Sequence, residues 1–320
     1  MEASAAAAAS RGAGPGGGPS LSRTRTRRSA GEQAIKVALA AAAFVSVLTT
    51  TGIVVTLIRE AIQFFKDVPF ADYMFGTKWS PLAGGESRSF GVLPLIWSTL
   101  YLTVIGLIVA IPVGLGVGVY LAEYASPRIR RIFKPVVELL AGIPTIVFGF
   151  FALTFFTPLL TDLGIDVQIF NGLSAAIILG ILVVPTIASV AEDALSSVPQ
   201  SLREGAFGLG AAKWQVVVRV VFPAALSGVV AGLVLGASRA IGETVLILVA
   251  AGNNPNLTFD LTVAHQNMAA FIANTARADI SAGGTAYATI FVVGATLFVI
   301  TLGLNLVAIR FVRKYRQIYE

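Results

Sequence analysis

Long uncharged apolar runs, separated by short charged segments, dominate the chain. Residues 37–58 lie between Lys36 and Arg59, 89–122 between Arg88 and Glu123, and 139–161 between Glu138 and Asp162. Residues 167–191 lie between Asp166 and Glu192, and 280–309 between Asp279 and Arg310. Each exceeds the ~20 residues that cross a hydrocarbon core of ~30 Å as a helix. A sixth run, from about Pro223 to Ala251, is interrupted by Arg239 and Glu243. Only helices and closed barrels satisfy their backbone polar groups in lipid, and nothing here alternates with the period of two that a barrel requires. The pattern therefore predicts an all-α, polytopic membrane protein with six transmembrane helices. Their expected positions are near 37–58, 95–121, 138–160, 172–191, 223–251 and 286–310.

Charge orients these spans. The segments 1–36, 121–137, 191–222 and 310–320 together carry a net +10, whereas 59–92, 161–172 and 252–285 carry −3. Lys and Arg gather on the cytoplasmic side of membrane proteins, so both termini and the 191–222 segment are expected inside. Residues 1–30 are rich in Ala, Gly, Ser and Pro and end in Arg23, Arg25, Arg27 and Arg28. That composition buries too little apolar surface to offset chain entropy, so a disordered basic tail is expected, followed by a six-helix transmembrane domain over 31–320. The apolar run behind the arginines is too long for the core of a cleaved signal peptide. At 56% hydrophobic and 12% charged residues, against about 25% charged in soluble domains, most of the surface must face lipid.

Composition also removes several chemistries. There is no Cys, so disulfides and thiolate metal sites are excluded. The single histidine, His265, reads as an exposed loop residue and cannot build a His-rich metal centre. No Gly-x4-Gly-Lys-Ser/Thr loop is present, so no catalytic residue, metal or cofactor is expected, and ATP with Mg would have to sit on a separate ATPase. Nucleic acid is not an expected partner. Within 59–92, Phe64, Phe65, Phe70, Tyr73, Phe75, Trp79 and Phe90 suggest an interfacial anchor at headgroup depth, with a partner-docking surface as the alternative. The Gly114-Leu115-Gly116-Val117-Gly118 run follows no strand and reads as helix packing rather than a nucleotide loop. Arg128, Arg130, Arg131 and Lys134 read as inner-face anchors, with anionic lipid as a weaker alternative.

The segment 198–222 is the one cytoplasmic stretch with its own pattern. Glu204-Gly205-Ala206-Phe207-Gly208-Leu209-Gly210 is followed by Val220-Val221-Phe222-Pro223, with Gly210 six and Pro223 nineteen positions after Glu204. This predicts a short helix, a glycine-permitted turn and a second short helix closed by proline. The spacing resembles the EAA loop of ABC-importer permeases, with Gly205 at the second position and Phe222 where Leu is usual. Trp79-Ser80-Pro81, Phe90-Gly91-Val92-Leu93-Pro94-Leu95, Gly142-Ile143-Pro144-Thr145 and Val184-Pro185-Thr186-Ile187-Ala188-Ser189 are similar to stretches of phosphate-importer permeases. The resemblance covers roughly residues 60–315. It implies a type I ABC-importer permease architecture and a second homologous permease subunit. It further implies two cytoplasmic ATPase subunits and an extracytoplasmic phosphate-binding protein, at a bacterial inner membrane whose lipid surrounds the spans. It assigns ATPase coupling to Glu204, Gly205, Ala206, Gly210 and Pro223. A permease for another oxyanion or small polar solute, or a secondary transporter or channel, is the alternative. The polar loop 252–285 is a candidate surface for the binding protein.

The pathway candidates lie in the spans. Pro144-Thr145 breaks the third near its cytoplasmic end, either as a packing kink or as a bent helix lining the pathway. Gly228, Gly232 and Gly236 recur every four residues, and at 100° per residue Arg239 and Glu243 extrapolate onto the same face. Charges facing lipid at mid-membrane cost at least ~2.5 kcal/mol each, so both should point inward. Two readings are open: an i, i+4 salt bridge that pins the helix, or Arg239 attracting an oxyanion with Glu243 holding it. Ser238 and Thr244 are flanking donors.

Overall fold

The computed structural model describes residues 28–278, 281 and 283–315, with side chains undescribed for 28–30, Glu86 and 311–315. Of the basic tail expected over 1–30, residues 1–27 lie outside what is described, as does the terminal cation Arg316, while Arg313 and Lys314 are described in backbone alone. The chain divides into two compact units, Met1–Ile53 and Val54–Glu320.

Helix α1 spans Arg28–Asp67; α2 is Phe70–Phe75, and the strands β1, Trp79–Ser80, and β2, Ser89–Phe90, pair antiparallel. Then come α3, Leu93–Val119, prolonged by a π-helical turn at Tyr120–Tyr124, and α4, Pro127–Ala141. After a break, α5, Thr145–Phe151, continues through a π turn into α6, Thr157–Asp162. Helix α7 is Gly172–Ser196, α8 Gln200–Gly208, α9 Lys213–Val216, and α10 Phe222–Ala224. The remainder is α11, Leu226–Ile241; α12, Val245–Ala250; α13, Met268–Ala276; and α14, Thr285–Tyr315. Among the described residues five helices are long and apolar enough to cross a membrane. The pair Lys213–Ala224 and Leu226–Ile241, bent by 73°, makes a sixth if counted as one span.

Two of the predicted runs are broken more deeply than their hydropathy implies. The third apolar helix begins at Thr145, not 138, because α4 is closed by Gly142 and Pro144 opens α5. The sixth run is interrupted at 242–244 between α11 and α12. Both breaks fall where Gly or Pro removes helical constraint or an N–H donor.

In the Val54–Glu320 unit, α3 and α7 form the centre through small residues. Gly106, Ala110, Gly114 and Gly118 recur every four positions and are all buried. A methyl added at Gly180 would lie 2.6 Å from the Gly106 carbonyl oxygen, so the two backbones touch. On its other side α7 receives α11 along the glycine ridge. A Cβ at Gly228 would meet Ala194 at 2.5 Å, at Gly232 Val190 at 3.1 Å, and at Gly236 Ile187 at 2.8 Å. Without a hydrophobic drive between helices in lipid, such close approach is what holds spans together.

Part of the aromatic segment after residue 59 is a packed core, while Phe70 and Phe75 stay exposed. Phe64, Tyr73 and Trp79 are buried, with edge-on rings between Phe64 and Tyr73 and between Trp79 and Phe271. Tyr73 shares a 2.8 Å hydroxyl bond with Thr296, and burial raises its phenol pKa well above the ordinary value.

Candidate functional site

Helix α11 carries Ser238 and Arg239 on its last turn against neighbouring helices. Nη1 of Arg239 donates to Thr186 Oγ1 of α7 at 3.0 Å, so the glycine-ridge extrapolation puts this cation on the α7 side. Its side chain is half-buried, and among the described residues it has no carboxylate partner. Ser238 instead hydrogen-bonds Asn305 Oδ1 of α14 at 2.9 Å.

Glu243 does not follow the extrapolation. The helix ends at Ile241, so residues 242–244 leave the 3.6-residue period on which an Arg239–Glu243 bridge depends. The buried Glu243 carboxylate turns forward and accepts the Leu246 N–H at 3.2 Å, capping α12. Asn267 Nδ2 donates to the Glu243 carbonyl at 2.9 Å, tying this break to the N-terminus of α13. Thr244 bonds back to the Gly242 carbonyl at 3.1 Å. Thr145 is the half-buried first residue of α5, whose Gly149 packs against Leu246 and Val249 of α12. These five candidates therefore surround two helix breaks, and no hydrogen bond links one to another. Thr186 was missed as a partner of Arg239. It sits in the Pro-Thr pair of α7, but helix-to-helix contact leaves no mark in local spacing.

The 198–222 loop forms two short helices around Gly210, whose φ of +80° suits glycine. Glu204, Gly205, Gly210 and Pro223 are exposed and Ala206 is half-buried. Phe207, Leu209 and Trp214 are exposed beside them, Leu209 at 91%. Such an apolar patch on a loop is unusual for a surface left in water.

Two of the basic residues read as anchors make ion pairs. Arg130 binds Glu192 and Ser196, and Lys134 binds Glu192 at 2.5 Å and Asp193 at 2.6 Å. Hydrogen bonds donated to Asp193 and then to Glu192 raise the Lys134 pKa above the ordinary lysine value. Glu192 is 1% exposed, so α4 is fastened to the end of α7 by a buried charge.

His265, expected to be exposed, is buried. Its Nε2–H donates to the Asp260 carbonyl at 2.9 Å, leaving Nδ1 to accept from Ser98 Oγ at 3.3 Å. The carbonyl can only accept, so in the neutral ring the proton sits on Nε2. Trp97 and Tyr101 hold the same loop by donating to the Thr258 and Phe259 carbonyls at 2.9 and 2.8 Å. Burial lowers the His265 pKa below its ordinary 6.5. The unfolded chain takes up the proton first, so this contribution is complete above about pH 6.5 and is lost as pH falls toward the folded value. Thermal unfolding of the purified protein is expected to show a larger drop in Tm between pH 7.5 and 5 than His265→Gln does. Equal drops would refute this.

Bundled apolar helices, a half-buried cation without a counter-charge among the described residues and an exposed loop of two short helices together mark a polytopic membrane protein. The chain belongs to the family of binding-protein-dependent transport system inner membrane components, whose profile matches residues 114–317. It is 32% identical over 225 residues to the probable ABC transporter permease protein YqgH of Bacillus subtilis (strain 168), covering 69% of this chain and 72% of that one. It is 31% identical over 270 residues to the phosphate transport system permease protein PstC of Xylella fastidiosa (strain 9a5c), covering 78% and 80%. A solved structure of the MetNI methionine ABC transporter in an inward-facing conformation shares the fold, with TM-score 0.58 and 21% identity over 71% of this chain and 96% of that one.

Proposed function

We propose that this chain is a permease subunit of an ATP-driven importer that moves inorganic phosphate across the bacterial inner membrane into the cytoplasm. Family membership and the functions named for the relatives support the reading. The observation that carries it is Arg239, a half-buried guanidinium in a span whose hydrogen bond goes to a neutral hydroxyl and which has no carboxylate partner among the described residues. Such a cation is costly in a membrane unless its remaining donors meet an anion, and its planar fork matches two oxygens of phosphate. Ser238, Thr244 and Thr145 flank the pathway in this reading, and Glu243 shapes the break beside it.

ATP and Mg bind to two separate cytoplasmic ATPase subunits. They dock on loop 198–222 through Glu204, Gly205, Ala206, Gly210 and Pro223, with Phe207, Leu209 and Trp214 supplying apolar area. A second homologous permease completes the pathway, and an extracytoplasmic phosphate-binding protein delivers substrate to the loop beyond α12. Both termini then lie in the cytoplasm. Uptake of radiolabelled phosphate by the whole complex in vesicles tests this, with sulfate and molybdate as competitors. Uptake should require ATP and resist both competitors; sulfate competition would move the substrate to another oxyanion. Glu204→Lys should leave the complex ATPase-active but uncoupled. Unchanged uptake in that variant would remove Glu204 from the coupling surface.

A further inference from the structure

Arg203 and Glu204 are adjacent in α8 yet turn opposite ways: Glu204 is exposed and Arg203 is buried at 8% exposure. The Arg203 guanidinium binds three separate pieces of chain. Nη2 donates to Glu123 Oε1 at 2.7 Å and to the Leu195 carbonyl at 2.8 Å, and Nε donates to the same carboxylate oxygen at 3.2 Å. Nη1 donates to the Val198 carbonyl. Glu123 lies in the π-helical turn that ends α3, Leu195 at the end of α7, and Val198 in the connection to α8. The other arm of the loop reaches the same turn, where Lys213 Nζ stands 4.9 Å over the Tyr124 ring.

The remaining attachment of α8 is apolar, through Leu202 and Ala206 against Leu195, Val198 and Val216. Apolar contact is non-directional and lets a short helix slide or tilt about Pro199 and Gly210. A fork with four directed bonds does not. We propose that Arg203 is the positioning residue that makes the coupling helix move as one piece with the cytoplasmic ends of α3 and α7. A displacement imposed on the exposed side of α8 then reaches both central helices at once. It passes on to α4 through the Arg130 and Lys134 pairs with Glu192 and Asp193. The pairing of Arg203 with Glu123 is separated by 80 residues, so no local pattern announces it.

This rests on the importer reading, and the test separates the two. The complete complex in vesicles is assayed for ATP hydrolysed and phosphate taken up, as wild type, Arg203→Met and Glu123→Gln. Wild type whose uptake ignores ATP would overturn the importer reading and the clamp with it. If wild type couples, Arg203→Met should still hydrolyse ATP while phosphate moved per ATP falls about tenfold, as expected when a buried charged contact is broken. Glu123→Gln keeps an oxygen for the guanidinium and should lower the ratio by a smaller factor, about threefold. If Arg203→Met fails to assemble, Glu123→Gln decides alone. A residue that merely stabilises the fold would lower complex yield and both rates together. An unchanged ratio in an assembled variant therefore overturns the clamp.

Discussion

Replacing Arg239 by alanine is expected to cut phosphate uptake by roughly 100-fold while leaving the complex assembled and able to hydrolyse ATP. That factor corresponds to ~3 kcal/mol, the upper value for hydrogen bonds to a charged group away from water. Arg239→Lys keeps a positive charge but loses the planar fork, and should fall between wild type and alanine. Glu243→Gln keeps an oxygen to accept the Leu246 N–H, so the α12 cap survives and uptake should change little. This order distinguishes two models of the span. If Glu243 served to neutralise Arg239, its loss would matter as much as that of the arginine. Near-normal transport by Arg239→Ala, measured on vesicles with verified complex content, would sink the pathway assignment.

The second large effect concerns the α3–α7 seam. Gly180→Val should destabilise the protein by about 3 kcal/mol, the upper end of what over-packing usually costs. The added Cβ would lie 2.6 Å from a backbone carbonyl and 2.9 Å from Val109, and neither the helix backbone nor a β-branched side chain yields easily. Gly116→Val is the matched control. It lies in α3 within the same glycine run, but an added Cβ meets nothing within 4 Å. Thermal unfolding in detergent should show a clear fall in Tm for Gly180→Val and little change for Gly116→Val. Equal shifts would show that helix propensity, rather than close approach, governs these glycines.

Much of the coarse architecture was legible in advance because lipid imposes a simple rule: an apolar run of sufficient length must become a helix. The EAA-like spacing from Glu204 to Pro223 was equally readable, since turn glycines and closing prolines act locally. Arg239 could be placed on the glycine-ridge face because α11 stays helical through it. Glu243 could not, since a two-residue overshoot beyond Ile241 lets the backbone leave the helical period, and every angle computed past that point loses meaning. His265 was misplaced for a related reason. The polar Gln266 and Asn267 follow it in sequence, but Ser98 and Gly172, distant in the chain, close over it.

By itself the sequence determined the helical class, the apolar runs that can span a membrane and the two-helix loop at 198–222, because these follow from length, periodicity and local backbone preference. Only the tertiary structure decided which of the remaining glycines are seams, and which side chain each cation meets. Arg203 finds Glu123, Lys134 finds Glu192 and Asp193, and Arg239 finds Thr186. Partners separated by 50 to 80 residues are chosen by how helices pack, and helix packing is a property of surfaces that no single stretch of chain contains.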